Sequence, residues 1–140
     1  MSLIKGRCHC KQTEWTVRLE DKSHVLCHCG TCKYLSGTDY TLNQIIPRED
    51  FRLDKGELKA YTYYGDSGNP VHCYYCPNCT AHVYHHQAVN PSKYVIRTAL
   101  LEGSKDWKPS AEIYAKDRYH WQPAVAPKGA VFQTGPPAKL

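Results

Sequence analysis

Alternating apolar and polar residues predict β-strands over most of this chain. Trp15, Val17 and Leu19 alternate with charged or polar residues, and a period of two is typical of a half-buried strand. Residues 40–46, 58–64, 82–86 and 94–101 are further candidate strands, rich in Tyr, Thr, Val and Ile. Turn-forming residues separate these segments at 47–50, 54–56 and 65–70. No long segment has a clear helical period, so the pattern predicts a mostly β domain, with at most one or two helical turns at residues 110–116.

Prolines distinguish the C-terminal segment from the rest of the chain. Five of the 9 prolines lie after residue 108, and a total length of 140 residues suits one domain. We therefore predict a single β domain over residues 1–122. Residues 123–140 are predicted to form an extended, Pro-rich arm, either laid on the surface or frayed.

The eight cysteines fall into three groups, Cys8-His9-Cys10, Cys27-His28-Cys29-Gly30-Thr31-Cys32 and Cys73-Tyr74-Tyr75-Cys76-Pro77-Asn78-Cys79. Cysteines two apart on a strand point to opposite sides and cannot easily bridge each other.

The first residues lack the hydrophobic stretch of a signal peptide, and no apolar run approaches a membrane span. We therefore expect a cytoplasmic protein with no membrane partner, in which the thiols stay reduced and bind metal.

Ligand counting separates two candidate zinc sites. Zinc prefers four tetrahedral ligands, and short Cys pairs supply two at once. Cys8 and Cys10 must join a distant pair, and Cys76 with Cys79 is the natural partner for a closed, structural site. The remaining triplet would then form an open catalytic zinc site with three protein ligands, Cys27, Cys29 and Cys32. The alternative is a closed second site whose fourth ligand is Cys73, His28, His72, His85 or His86.

Four motifs resemble those of the glutathione-dependent formaldehyde-activating (Gfa) and centromere-protein-V family. Their order and spacing match over residues 4–122. The motifs are Gly6-Arg7-Cys8-His9-Cys10, Cys27-His28-Cys29-Gly30-Thr31-Cys32-Lys33 followed by Ser36-Gly37, Gly56-Glu57-Leu58-Lys59-Ala60-Tyr61, and Tyr75-Cys76-Pro77-Asn78-Cys79.

The resemblance implies a β-tent domain that binds two zinc ions per chain. It assigns a structural zinc to Cys8, Cys10, Cys76 and Cys79, and a second zinc to Cys27, Cys29 and Cys32. It also implies a carbon–sulfur lyase that reversibly joins glutathione, as co-substrate, to formaldehyde or a related small aldehyde. The recurring late tryptophan of the family corresponds to Trp121, which we expect to pack in the core.

Two residues depart from the family pattern. Thr80 stands where the family has glycine, so we expect the Cys76–Cys79 turn to close differently, without the left-handed backbone that glycine permits. Cys73 is an additional thiol outside the pattern. A small buried residue, a spare ligand and a reactive group are the three interpretations of Cys73.

Other side chains are candidates for handling a substrate at the triplet. The cations that could receive an anionic substrate are Lys33, Arg48, Arg52 and Arg97. Three histidines in one segment could act as acid–base groups, and strand alternation places His82 and His86 on one face and His85 on the other.

Two other functions compete with the lyase. One is another lyase or isomerase reaction on a larger electrophile, and the other is a non-enzymatic zinc module that binds protein or nucleic acid. The formal net charge of +5 gives weak support to nucleic acid, but the Lys and Arg residues form no run. Seven thiolates contribute −7 and two Zn²⁺ ions +4, so binding both metals lowers the net charge from +5 to +2. We therefore expect no nucleic-acid partner.

Overall fold

The computed structural model describes residues 1–137 and confirms the mostly β class. Within this range no helix has the length and apolar character needed to cross a membrane. The described part of the chain contains one α-helix, α1 (Gly30–Ser36), and ten strands: β1 (Ser2–Arg7), β2 (Glu14–Leu19), β3 (Ser23–Cys27), β4 (Thr41–Pro47), β5 (Phe51–Lys55), β6 (Lys59–Tyr64), β7 (Pro70–Tyr75), β8 (His82–Gln87), β9 (Lys93–Arg97) and β10 (Lys108–Ile113).

The strands form two sheets. The smaller sheet has the order β1-β2-β5, and the larger has the order β10-β3-β4-β9-β8-β7-β6. All neighbouring strands are antiparallel except β10 and β3, which are parallel.

The structure differs from the predicted secondary structure in two segments. The strand expected over 94–101 ends at Arg97, where a short 3-10 turn begins. Of the helical turns expected at 110–116, residues 110–113 belong to β10, and one 3-10 turn forms later, at Ala115–Asp117.

The main core lies between the smaller sheet and one face of the larger sheet. Trp15, Val17 and Leu19 are buried there, as the alternation in β2 predicts. Tyr84 and Ile96 of the larger sheet belong to the same core cluster.

The packing in this core leaves no room for a side chain at position 6. Gly6 pairs with Trp15, and a Cβ at Gly6 would lie 2.4 Å from the indole Nε1. Glycine is therefore required here by close packing.

The opposite face of the larger sheet carries polar residues and a second, smaller core. The register pairs Cys27 with Thr41 and Asn43 with Arg97, so all four side chains project from this face. Cys27 and Cys32 form the smaller core together with Val25, Ala111 and Ile113. We call this side of the sheet the polar face.

The segment after residue 122 runs alongside β10 and forms backbone hydrogen bonds with it. The amide of Phe132 donates to the carbonyl of Glu112, and the amide of Glu112 donates to the carbonyl of Ala130. Phe132 and Ala130 also pack against the smaller core. Residues 138–140 of the predicted arm lie outside the described residues.

The expected burial of Trp121 is wrong. Its side chain is 74% exposed and stacks on Tyr119 with ring centroids 6.1 Å apart. Its position just before the C-terminal segment places it on the surface, where the indole contacts another ring.

Candidate metal centres

The first cysteine cluster joins the end of β1 to the turn between β7 and β8. The four Sγ atoms of Cys8, Cys10, Cys76 and Cys79 lie within 4.8 Å of one another. Cys8 and Cys76 are buried, while Cys10 and Cys79 are half-buried. The structure therefore brings together the four residues for which the sequence predicts a structural zinc site.

The sulfur spacing in this cluster fits a tetrahedral metal. Zn–S bonds of about 2.3 Å place the sulfurs of a tetrahedron about 3.8 Å apart. The Sγ atom of Cys10 lies 3.6 Å from that of Cys8 and 3.7 Å from that of Cys76. A disulfide requires a separation of about 2.05 Å, and all eight cysteines are free. This donor set therefore matches zinc, which the cluster could hold.

Backbone groups shape both turns of the first cluster. The amide of Thr13 donates to Cys8 Sγ at 3.4 Å, and the amide of Thr80 donates to the Cys76 carbonyl at 2.9 Å. Thr80 has a φ of 67°, so the expectation of a differently closed turn is wrong. A β-branched residue adopts the left-handed backbone that the family assigns to glycine, at a cost in strain.

The second cluster lies on the polar face, at the end of β3 and the start of α1. The Sγ atoms of Cys27, Cys29 and Cys32 lie within 4.8 Å of one another. Cys29 caps α1, and its sulfur accepts the Cys32 amide at 3.3 Å. Within residues 1–137, no ligand atom of another Cys, His, Asp or Glu joins this group within the same separation.

Three of the four histidines considered as a fourth ligand form a hydrogen bond through one ring nitrogen, and none of them has a nitrogen within the sulfur group. His28 Nε2 lies 2.8 Å from Glu112 Oε1, His72 Nδ1 lies 2.7 Å from the Thr62 hydroxyl, and His86 Nε2 lies 2.8 Å from the Pro91 carbonyl. His85 and Cys73 face each other across β7 and β8. Burial raises the pKa of the Cys73 thiol to about 11, despite the nearby Arg97 charge, so Cys73 is a neutral thiol at neutral pH.

The pKa shifts within the second cluster favour the binding of a positively charged ion. Hydrogen bonds from Cys27 and Cys29 lower the pKa of Cys32, and Thr41 and the Arg97 charge act in the same direction. Hydrogen bonds to the other two cysteines and burial raise the pKa of Cys27. The three thiols titrate as one coupled group beside the Arg97 charge, and a metal ion in contact with all three sulfurs would stabilise their thiolate forms.

The four candidate cations differ in what their side chains contact. Lys33 donates to the Asp117 carbonyl and lies over the Tyr119 ring. Arg52 pairs with Asp54 at 2.6 Å. Arg48 lies over the ring of Tyr94, whose register partner Ile46 belongs to the main core. The remaining candidate is Arg97, which donates to Asn43 Oδ1.

The histidines are arranged differently from the expected alternation. A β-bulge lies between β7 and β8 at Tyr74 and Tyr75, and it shifts the start of β8 by one residue. His82 and His85 consequently lie together, with ring centroids 6.0 Å apart. Burial and the Arg97 charge lower the pKa of His82 to about 4 and that of His85 to about 3, so both imidazoles are neutral at pH 7.

The sequence analysis missed two buried polar residues, Asn43 and Glu112, of which Asn43 links Arg97 to Thr41. Asn43 Nδ2 donates to the Thr41 hydroxyl at 2.9 Å and to the Val25 carbonyl. Glu112, fully buried, accepts the amides of Val125 and Ala126 at 2.8 and 3.0 Å in addition to His28. Both strands contain other polar residues as well, such as Gln44 in β4 and Ser110 in β10, so no sequence signal singled out Asn43 or Glu112.

Two cysteine clusters on a mostly β fold define the class as a cysteine-rich β domain with two groups of thiols that could hold metal ions. The chain belongs to the family of the glutathione-dependent formaldehyde-activating enzyme, whose model matches residues 3–117. This range contains all eight cysteines and confirms the resemblance seen in the motifs.

A solved structure supports the same fold. A crystal structure of a Rhodobacter sphaeroides protein is 25% identical and superposes with a TM-score of 0.58, covering 71% of this chain and 88% of that chain. No protein of curated function matches the chain at a significant level.

Proposed function

We propose that this protein is a zinc-dependent carbon–sulfur lyase that reversibly joins a thiol to formaldehyde or a related small aldehyde. The observation that carries the proposal is the second cluster, a group of three thiols without a fourth ligand among residues 1–137. Three protein ligands and one exchangeable position are the pattern of a catalytic zinc site. The family supports glutathione as the thiol.

The two clusters have different proposed roles. Cys8, Cys10, Cys76 and Cys79 would hold a structural zinc, because four thiolates complete its tetrahedron. Cys27, Cys29 and Cys32 would hold the second zinc, which when bound supplies a positive charge that can stabilise a thiolate or polarise a carbonyl.

The chain's own residues contribute binding, orientation and charge to this reaction. Cys29 is fixed at the start of α1 by the Cys32 amide, and Cys27 is fixed at the end of β3. The overall step forms one C–S bond while the carbonyl π bond becomes an O–H bond, with a proton moving from sulfur to oxygen. His82 and His85 are neutral at pH 7, so neither carries the second, acidic proton of an imidazolium, and each has one ring nitrogen that can accept a proton.

The free thiols also support a proposed location. All eight cysteines are unpaired, as expected in a reducing compartment. We propose the cytoplasm on this basis.

The decisive experiment measures the rate at which formaldehyde and glutathione exchange with their adduct. NMR exchange spectroscopy gives this rate with and without protein, because the reaction also proceeds uncatalysed. We expect zinc-loaded protein to accelerate exchange and Cys29→Ser to abolish the acceleration. Equal rates with and without wild-type protein carrying two zinc ions would eliminate this activity.

A further inference from the structure

Arg97 is a buried cation without a carboxylate partner. It is the last residue of β9 and only 6% exposed. None of the ion pairs formed within residues 1–137 includes it. The Arg97 charge favours the thiolate form of Cys32 and lowers its pKa, but no carboxylate of residues 1–137 hydrogen-bonds to the guanidinium. A buried charge needs good hydrogen-bonded pairing, so a carboxylate from a ligand would stabilise this arrangement.

Most of the hydrogen-bonding capacity of the Arg97 guanidinium is unused. The group has five N–H donors, and its hydrogen bond in the described part of the chain runs from Nη1 to Asn43 Oδ1. The Asn43 amide is itself held by Thr41 and the Val25 carbonyl. The guanidinium is therefore held in place by one donor while the other donors remain available to an acceptor that the chain does not provide.

The register places this guanidinium beside the second cysteine cluster. Thr41 and Asn43 lie two residues apart on β4 and project from the polar face. Thr41 pairs with Cys27, and Asn43 pairs with Arg97. Two residues along a strand span about 7 Å, and β3 and β9 lie on either side of β4, two strand spacings of about 4.8 Å apart. The Cα atoms of Arg97 and Cys27 are therefore on the order of 12 Å apart. One small molecule can span that distance.

We propose that Arg97 is the carboxylate-binding residue of this site, which selects thiols that also carry a carboxylate. The proposal rests on the proposed function, because that function places the thiol group at Cys27, Cys29 and Cys32. The planar guanidinium fork matches a carboxylate in both shape and charge. The ligand carboxylate would supply the hydrogen-bonded ion-pair partner and the acceptors that Arg97 lacks within the described residues.

The test compares mercaptoalkanoic acids of three to six carbons with their methyl esters. Each thiol is titrated into zinc-loaded protein by isothermal calorimetry. Charged hydrogen bonds contribute roughly 1.5–3 kcal/mol, so wild-type protein should bind the best acid about tenfold or more tightly than its ester. Arg97→Gln should weaken acid binding by a similar factor and change ester binding less than about twofold.

Two further variants sharpen the comparison. Arg48→Gln is the matched control, because it removes a cation beside Tyr94, away from the polar face, and it should leave the acid preference intact. Arg97→Lys keeps the charge but loses the planar fork, so it should retain a reduced preference. The wild-type comparison tests the proposal even where an Arg97 variant fails to fold.

The contrary outcomes are distinguishable. Equal affinity of wild-type protein for acid and ester overturns the role of Arg97 and leaves the thiol site standing. A folded Arg97→Gln variant that loses affinity equally for the acid and for the ester also overturns the role of Arg97. If neither thiol binds protein that carries two zinc ions, the proposed function fails together with this inference.

Discussion

Replacing Cys76 by serine should unfold the domain or greatly lower its stability. Cys76 is fully buried in the main core, and its sulfur lies 3.7 Å from that of Cys10. Serine removes a thiolate and leaves a hydroxyl in an apolar environment. A metal that joins β1 to the β7–β8 turn would then lose one of its four ligands.

The expected loss is large compared with the stability of a domain. Structural zinc contributes about 10–16 kcal/mol in small zinc-binding peptides, while a whole domain is stable by about 5–15 kcal/mol. Losing even a third of the zinc contribution costs roughly 3–5 kcal/mol, which would lower the melting temperature by about 10–20 °C. We therefore expect Cys76→Ser to be unfolded or only marginally folded at 37 °C.

Cys73→Ser provides a matched control. Cys73 is 3% exposed on β7, only three residues before Cys76, and lies outside both clusters. The same substitution there buries a hydroxyl without removing a ligand, at a cost of about 1–3 kcal/mol. The difference between the two variants isolates the contribution of the metal.

Circular dichroism melting and elemental analysis of bound zinc measure these effects together. Cys29→Ser should melt close to wild type but contain one zinc ion fewer, because its cluster lies in the smaller core on the polar face. If Cys76→Ser melted like Cys73→Ser and kept two zinc ions, the assignment of Cys76 to a structural zinc would be wrong.

Three further predictions test the packing. Gly6→Ala should cost about 1–3 kcal/mol in a urea titration, because its methyl would meet the buried Trp15 ring; an unchanged midpoint would contradict the required close approach. Thr80→Gly should stabilise by up to about 1 kcal/mol, since relief of about 1–2 kcal/mol of left-handed strain exceeds the entropic cost of glycine, about 0.5–1 kcal/mol. A destabilised Thr80→Gly would show that the threonine is not strained. Phe132→Ala should speed chelator removal of zinc from the second cluster alone, because Phe132 packs against that core; equal release from both clusters would exclude this supporting role, which we propose for the C-terminal arm.

Local patterns predicted the strands with regular alternation. The alternation around Trp15 placed β2 correctly because one of its faces is fully apolar and buried. Helix α1 was missed because seven residues are too few to show a helical period. The prediction that His82 and His85 lie on opposite faces of their strand was wrong. A β-bulge shifts the alternation of side chains in β8 and has no sequence signal of its own.

The sequence by itself determined which cysteines could act together. Short spacings such as Cys29-Gly30-Thr31-Cys32 constrain sulfurs to be neighbours whatever the rest of the chain does. Counting ligands then paired Cys8 and Cys10 with Cys76 and Cys79, and the structure brings these four together.

Only the tertiary structure decided which residues surround the second cluster. Arg97 and Asn43 are 54 residues apart, and their contact depends on the pairing of β4 with β9. Arg48, also a cation, lies beside Tyr94 instead. Side chains distant in sequence meet only through strand register, and register is set by burial of the whole sheet rather than by any local motif.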